Sequence, residues 1–105
     1  MELDKLLGQV KENLILTHDA DDGLLRGYII AAVSYAESFQ HWEEGYYTEN
    51  AMSATTEQAV TMLASHFYES RDGSTGGYFG NSTQAASNVW TTVNNLLRLN
   101  KEWKL

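Results

Sequence analysis

The chain lacks proline, and its apolar residues recur at helical spacing in four separate segments. Proline is the residue that most sharply breaks a helix, so the punctuation here falls to glycine and to polar clusters. Leu3, Leu6, Leu7, Val10 and Leu14 share one helix face and predict a first helix over about 3–13. The polar break Thr17 to Gly23 offers Thr17 or Asp19 as N-cap, with carboxylates placed for the positive end of the next helix. That helix is predicted over about 21–44. Leu24, Leu25, Tyr28, Ile29, Ala32, Tyr35, Ala36, Phe39 and Trp42 lie on one broad arc, with Arg26, Ser34, Glu37, His41 and Glu44 opposite. Ile30 and Val33 fall toward the polar side.

A loop is predicted over 45–54. Thr55 and Gln58 have capping-box spacing ahead of a third helix over about 56–71, whose stripe is Val60, Leu63, Ala64 and Phe67, with Arg71 continuing the line. Met62 and Tyr68 lie off that stripe. Asp72 to Gly80 carries Gly73, Gly76, Gly77 and Gly80 and reads as a flexible loop. A last helix over about 83–99 turns Ala86, Val89, Trp90, Val93, Leu96 and Leu97 to one side, and a tail containing Trp103 comes after it. No segment reads as a strand. The expected fold is all-α, one domain over 1–105: a small bundle of about four helices with a glycine-rich loop before the last.

The chemistry of the side chains narrows the function. There is no cysteine, no nucleophile elbow, and no lysine in the glycine-rich segment to make it a phosphate loop. The absence of disulfides and of a basic leader suggests an intracellular or virion setting. Asp19, Asp21 and Asp22 do not match a calcium loop, because glycine comes fifth and the twelfth residue is Ile30. Glu37, His41 and Glu44, with His66 and Glu69 on another helix, are the best metal candidates, but the Glu-x-x-His pattern of di-metal bundles does not occur. A net charge of −7 disfavours gripping DNA, while acidic walls would keep a passing duplex from sticking. No apolar run is long enough to span a bilayer. Off-stripe Ile30, Val33, Met62 and Tyr68, together with Trp103, are the candidate subunit interface. Arg71 is expected to pack its stem on the core and cap the end of its helix.

These segments also carry a family likeness. Leu24 to Tyr35, LLRGYIIAAVSY, resembles the long second helix of the bacteriophage head–tail connector (adaptor) family, often labelled DNA-packaging proteins. Ala59 to Arg71, AVTMLASHFYESR, is similar to the family's most recognisable motif, carried here by His66, Phe67, Tyr68, Glu69 and Arg71. Val93 to Arg98 is similar to its closing Leu-Leu motif. The resemblance implies a structural virion protein with no enzymatic activity and no cofactor. It also implies a ring of copies at the head–tail junction, assembled in the host cytoplasm, between the portal and a downstream tail-completion protein. DNA would pass through the channel without specific binding. Two other readings stand beside it. One is a small bacterial adaptor or regulator that uses Ile30, Val33 and Trp103. The other is a metal-dependent helical enzyme using His41, His66 and nearby glutamates.

Overall fold

The computed structural model describes residues 2–70 and 82–99, with the backbone alone over 82–86. Among them are five helices and no strand: α1 (Leu3–Leu14), α2 (Asp22–Phe39), α3 (Tyr46–Glu49), α4 (Ala54–Glu69) and α5 (Ser82–Arg98). The all-α class expected from the sequence is what the chain adopts. Gly73, Gly76, Gly77, Gly80, Arg71 and Trp103 lie outside the described residues.

Helix α4 is the centre, packed against α1, α2 and α5. The bonds between helices fix the directions. Lys5 reaches Glu57, Gln9 bonds Thr61 and Asn13 bonds Ser65, so α1 runs parallel to α4. Tyr68 donates to Asp21 near the start of α2, and Gln40 donates to Thr56 near the start of α4, so those two helices are antiparallel. Gln40 also donates to the Leu97 carbonyl, which makes α5 antiparallel to α4. Leu6, Leu7 and Val10 of α1, Leu25, Ile29 and Ala36 of α2, Val60, Leu63 and Ala64 of α4, and Val93 and Leu97 of α5 fill one contiguous core. Burying such stripes is worth far more than intrinsic helix propensity, at roughly 1.5–3 kcal/mol for each large aliphatic side chain.

The helix ends depart from expectation. Helix α2 stops at Phe39 rather than near 44. His41 takes a left-handed turn (φ 66), the Trp42 N–H returns to the Glu37 carbonyl, and the His41 N–H bonds the Ser38 carbonyl. Helix α1 ends in the same way at Ile15 (φ 59), through Leu16 N–H to Lys11 O and Ile15 N–H to Glu12 O. Glycine is the usual residue at such a turn. A β-branched one there costs roughly 1–2 kcal/mol. The N-cap of α2 is Asp21, not Thr17 or Asp19, and its side chain makes no cap bond because its carboxylate accepts from the Tyr68 hydroxyl. Asp19 instead pairs with Lys11, which also meets Asp22 at 2.9 Å. That pairing holds the Asp19 carboxyl below and the Lys11 ammonium above their ordinary ranges. The α4 cap is Ser53, whose hydroxyl accepts from the Thr56 N–H, and not the Thr55–Gln58 box.

The predicted loop over 45–54 contains α3, and what holds it is a carboxylate expected to face solvent. Glu37 is 4 % exposed. Its two oxygens accept the N–H groups of Gly45 (3.2 Å) and Tyr47 (2.8 Å), and Gly45 supplies the left-handed turn (φ 85) that aims them. The chain between α2 and α4 therefore folds back over a flank of α2 that an isolated helix would leave wet. Val33, expected to be partly exposed, is 6 % exposed and belongs to the core. Leu24, expected on the buried arc, is 44 % exposed.

Beside Glu37 lies Gln40, fully buried. Its amide donates to Thr56 Oγ1 (3.1 Å) and to the Leu97 carbonyl (3.0 Å), and its oxygen accepts from the Tyr47 hydroxyl. One side chain thus joins α2, α3, α4 and α5 and satisfies a carbonyl in the last turn of α5 that has no partner within its own helix. Gln40→Leu takes the side-chain partner from the Leu97 carbonyl and one partner each from Tyr47 and Thr56, which keeps the Ser53 hydroxyl; it should lower the unfolding free energy by about 1–3 kcal/mol, read from urea denaturation. Burial pushes the Tyr47 phenol up, an effect the hydrogen bonds around it only partly offset. Its neutral form is therefore favoured in the fold. The stability this contributes is complete below the ordinary tyrosine value near 10 and shrinks as pH rises through it. The denaturation midpoint should fall less steeply above pH ~10 in Tyr47→Phe than in the parent chain.

Candidate subunit interface

Among the described residues two surfaces stand out beyond the core. The first is the outer face of α2. Gly23, Gly27, Ala31, Ser34 and Ser38 recur along it at helical spacing and are all exposed, with Ile30 beside them at 55 % exposure. Glycine inside a helix sacrifices stability. Here the sacrifice meets no need of the fold, since a methyl group at Gly8, Gly23 or Gly27 would touch nothing within 4 Å. The face is consequently shallow and lets another backbone come close.

The second is a row of half-buried aromatic rings across α2, α4 and α5. Tyr28 meets Phe67 (6.1 Å between centroids), Phe67 meets Trp90 (6.2 Å), and Trp90 meets Tyr35 edge-on (5.2 Å). Phe39 extends the row and His66 sits edge-on to Trp90 at 6.3 Å. Tyr35 is fixed by its hydroxyl, which donates to Asn94 Oδ1 at 2.6 Å. Such pairs add about 0.5–1.5 kcal/mol each beyond area burial.

The structure separates the residues singled out in the sequence. Ile30 is exposed, and Met62 is half-buried against the core. Val33 and Tyr68, expected to be partly exposed, are interior. Tyr68 is 8 % exposed because its hydroxyl is bound to Asp21 while its ring joins the core. His66 and Phe67 join the aromatic row, and Glu69 is exposed. The motif therefore divides by helix geometry, since successive residues point about 100° apart: two rings toward α5 and one toward the start of α2. Glu37, grouped with His41 and Glu44 as a metal candidate, is committed to backbone N–H groups. Among the described residues no group of three or more His, Cys, Asp or Glu side chains is placed to hold a metal, and no helix is long and apolar enough to cross a membrane.

Sequence reasoning passes over the two most exposed large aliphatic residues among those described, Ile15 at 85 % and Leu99 at 70 %. Ile15 does carry a signal, because it comes after Leu14, past the point where the α1 stripe closes, and stands close before the polar break. Gly27→Ala should raise the unfolding free energy by about 0.5–1 kcal/mol in denaturant titrations, since the added methyl improves helix propensity and meets no neighbour.

No curated protein and no solved structure matches the chain. A family model, that of the phage gp6-like head–tail connector protein, matches residues 4–101, which takes in both surfaces and all five helices but for Leu3. By that match the chain belongs to the phage gp6-like head–tail connector family, structural proteins of the phage virion.

Proposed function

We propose that this connector works as a ring of identical copies beneath the portal, which prolongs the DNA channel and offers a platform to a tail-completion protein once the head is filled. It acts through shape and interfaces rather than chemistry. The observation that carries the reading is the outer face of α2, where exposed Ile30 stands beside glycines that the isolated chain does not need. A closed ring of like subunits requires two different patches that meet. The α2 face is one of them, a shallow strip on which a neighbour's backbone can settle with Ile30 as anchor. Val33 and Tyr68 contribute by holding α2 and α4 in place behind it, and Met62 is proposed to join a separate contact on α4. Arg71 and Trp103 are proposed to extend the contacts with neighbouring proteins.

The −7 charge fits the same role. Lys5, Lys11 and Arg26 each sit against a carboxylate, so the body of the chain offers little positive charge to phosphates. Acidic walls let DNA slide past without being held. Assembly takes place in the host cytoplasm and the product resides at the head–tail junction of the virion.

Ile30→Glu tests the reading. The residue is exposed, so the variant should unfold at the same denaturant concentration as the parent. It should nevertheless fail to co-sediment with portal particles and to complete heads in an assembly extract. A variant that assembles as the parent does would remove the α2 face from the interface.

A further inference from the structure

Charge is spread unevenly over the helices. Helix α1 exposes Asp4, Lys5 and Glu12, and the segment from α2 to α4 exposes His41, Glu43, Glu44 and Glu49. The exposed positions of α2 from Gly23 to Ser38, by contrast, include no ionisable side chain. Arg26, the cation of that helix, is half-buried at the edge of the face, 3.8 Å from Asp4. Helix α5 repeats the pattern. Its exposed positions before the last turn are Ser87, Asn88, Thr91, Thr92 and Asn95, and its one charged residue is Arg98 at the end.

Neither face answers a need of the isolated chain. A helix surface that meets only water usually carries charged residues, and Lys and Glu also favour the helix. Ser, Thr and Asn are weak helix formers, because their side chains compete for backbone groups or lose rotamer freedom. The seam between α2 and α5 does not use the exposed residues. Tyr35 crosses it, donating to Asn94 and meeting Trp90 edge-on, while the exposed row of α5 turns away. Depletion of charge marks the centre of a contact between proteins. In this chain it has a further effect. Copies that each carry −7 repel one another, and among the described helices α2 and α5 are the two whose outer faces can meet without setting carboxylate against carboxylate.

Shape agrees with charge. On α2, exposed Ile30 heads a row with Ser34 and Ser38, beside glycines where a methyl group would touch nothing. On α5, Ser87, Thr91 and Asn95 form a row at the same spacing. Rows of this spacing interdigitate where two helices cross, and small side chains allow the axes to approach to about 8 Å. We propose that the outer face of α2 in one copy packs on the outer face of α5 in the next, with Ile30 seated against Thr91. The two patches differ, so the contact passes from copy to copy around a ring instead of closing a pair. It rests on the ring reading and names the patch that receives the α2 face.

Thr91→Glu in the full-length chain tests it, beside Ile30→Glu and beside Gln58→Glu, which adds the same charge at an exposed position of α4 outside both faces. Thr91 is exposed and Glu favours a helix more than Thr does, so Thr91→Glu should keep the parent's circular dichroism and a urea midpoint no lower than the parent's. In sedimentation velocity up to millimolar concentration, the parent and Gln58→Glu should self-associate alike. Thr91→Glu and Ile30→Glu should each weaken association roughly a hundredfold, the effect of an unpaired charge closed into a contact. An equal mixture of those two should stop at a heterodimer, because it retains one intact α2 face and one intact α5 face. The proposal is overturned by a Thr91→Glu chain that associates as the parent does, by a mixture that stays monomeric, by a Gln58→Glu chain that associates no better than Thr91→Glu, or by a parent monomeric at millimolar concentration. The ring reading is judged apart, on portal particles. If Ile30→Glu fails to bind them while Thr91→Glu binds as the parent does, the α2 face stays in the ring and α5 leaves it.

Discussion

A single buried amide organises this protein. Gln40 has no contact with solvent, yet it spends both its donors and its acceptor on three other helices. Remove it and the end of α5, the start of α4 and the small α3 helix lose the group that sets their mutual position. A buried polar group is costly when unpaired and specifying when fully paired. Apolar packing among α1, α2, α4 and α5 supplies most of the stability, but aliphatic stripes tolerate sliding, and Gln40 does not.

Glu37 extends the same logic outward. A carboxylate inside a small bundle would be prohibitive if it stood alone. Here two backbone N–H groups of the α2–α4 connection meet it, so the connection is pinned to α2 rather than left as a tether. The stacked Trp42 and Tyr46 rings, 4.2 Å apart and almost parallel, finish that corner. The result is a pinned end to the bundle, close to where α5 terminates.

How much of this can be read from the sequence depends on what each residue answers to. The four long helices are legible because their stripes come from periodicity, and the absence of proline leaves nothing to interrupt them, whereas the single turn of α3 is too short to show a stripe. Family membership is legible in the order of the segments and in His66, Phe67 and Tyr68. The inward turn of Glu37 is not, since helix periodicity counts only the faces of one helix and knows nothing of a loop that folds back upon it. Val33 escapes periodicity because more than one element packs on α2, and Tyr68 because its hydroxyl finds Asp21, 47 residues earlier in the chain. Capping goes to Ser53 instead of Thr55 because the chain enters α4 two residues sooner than the pattern suggests. The exposure of Ile30 is visible in its place off the stripe. That of Ile15 shows in the sequence only as a place past the end of the α1 stripe, and the left-handed turn that turns it outward is not announced by the residue's identity.

The parallel pairing of α1 with α4 has a consequence for how the molecule comes into being. The side-chain bonds Lys5–Glu57, Gln9–Thr61 and Asn13–Ser65 each span the same 52 residues. While the chain emerges from the ribosome, the first helix has no α4 to rest on until well over half of the protein has been made. α2 and α4, joined by a short pinned connection, can meet as soon as both exist. Synthesis therefore favours a hairpin of those two as the first stable unit, with the N-terminal segment arriving late onto a surface already prepared for it.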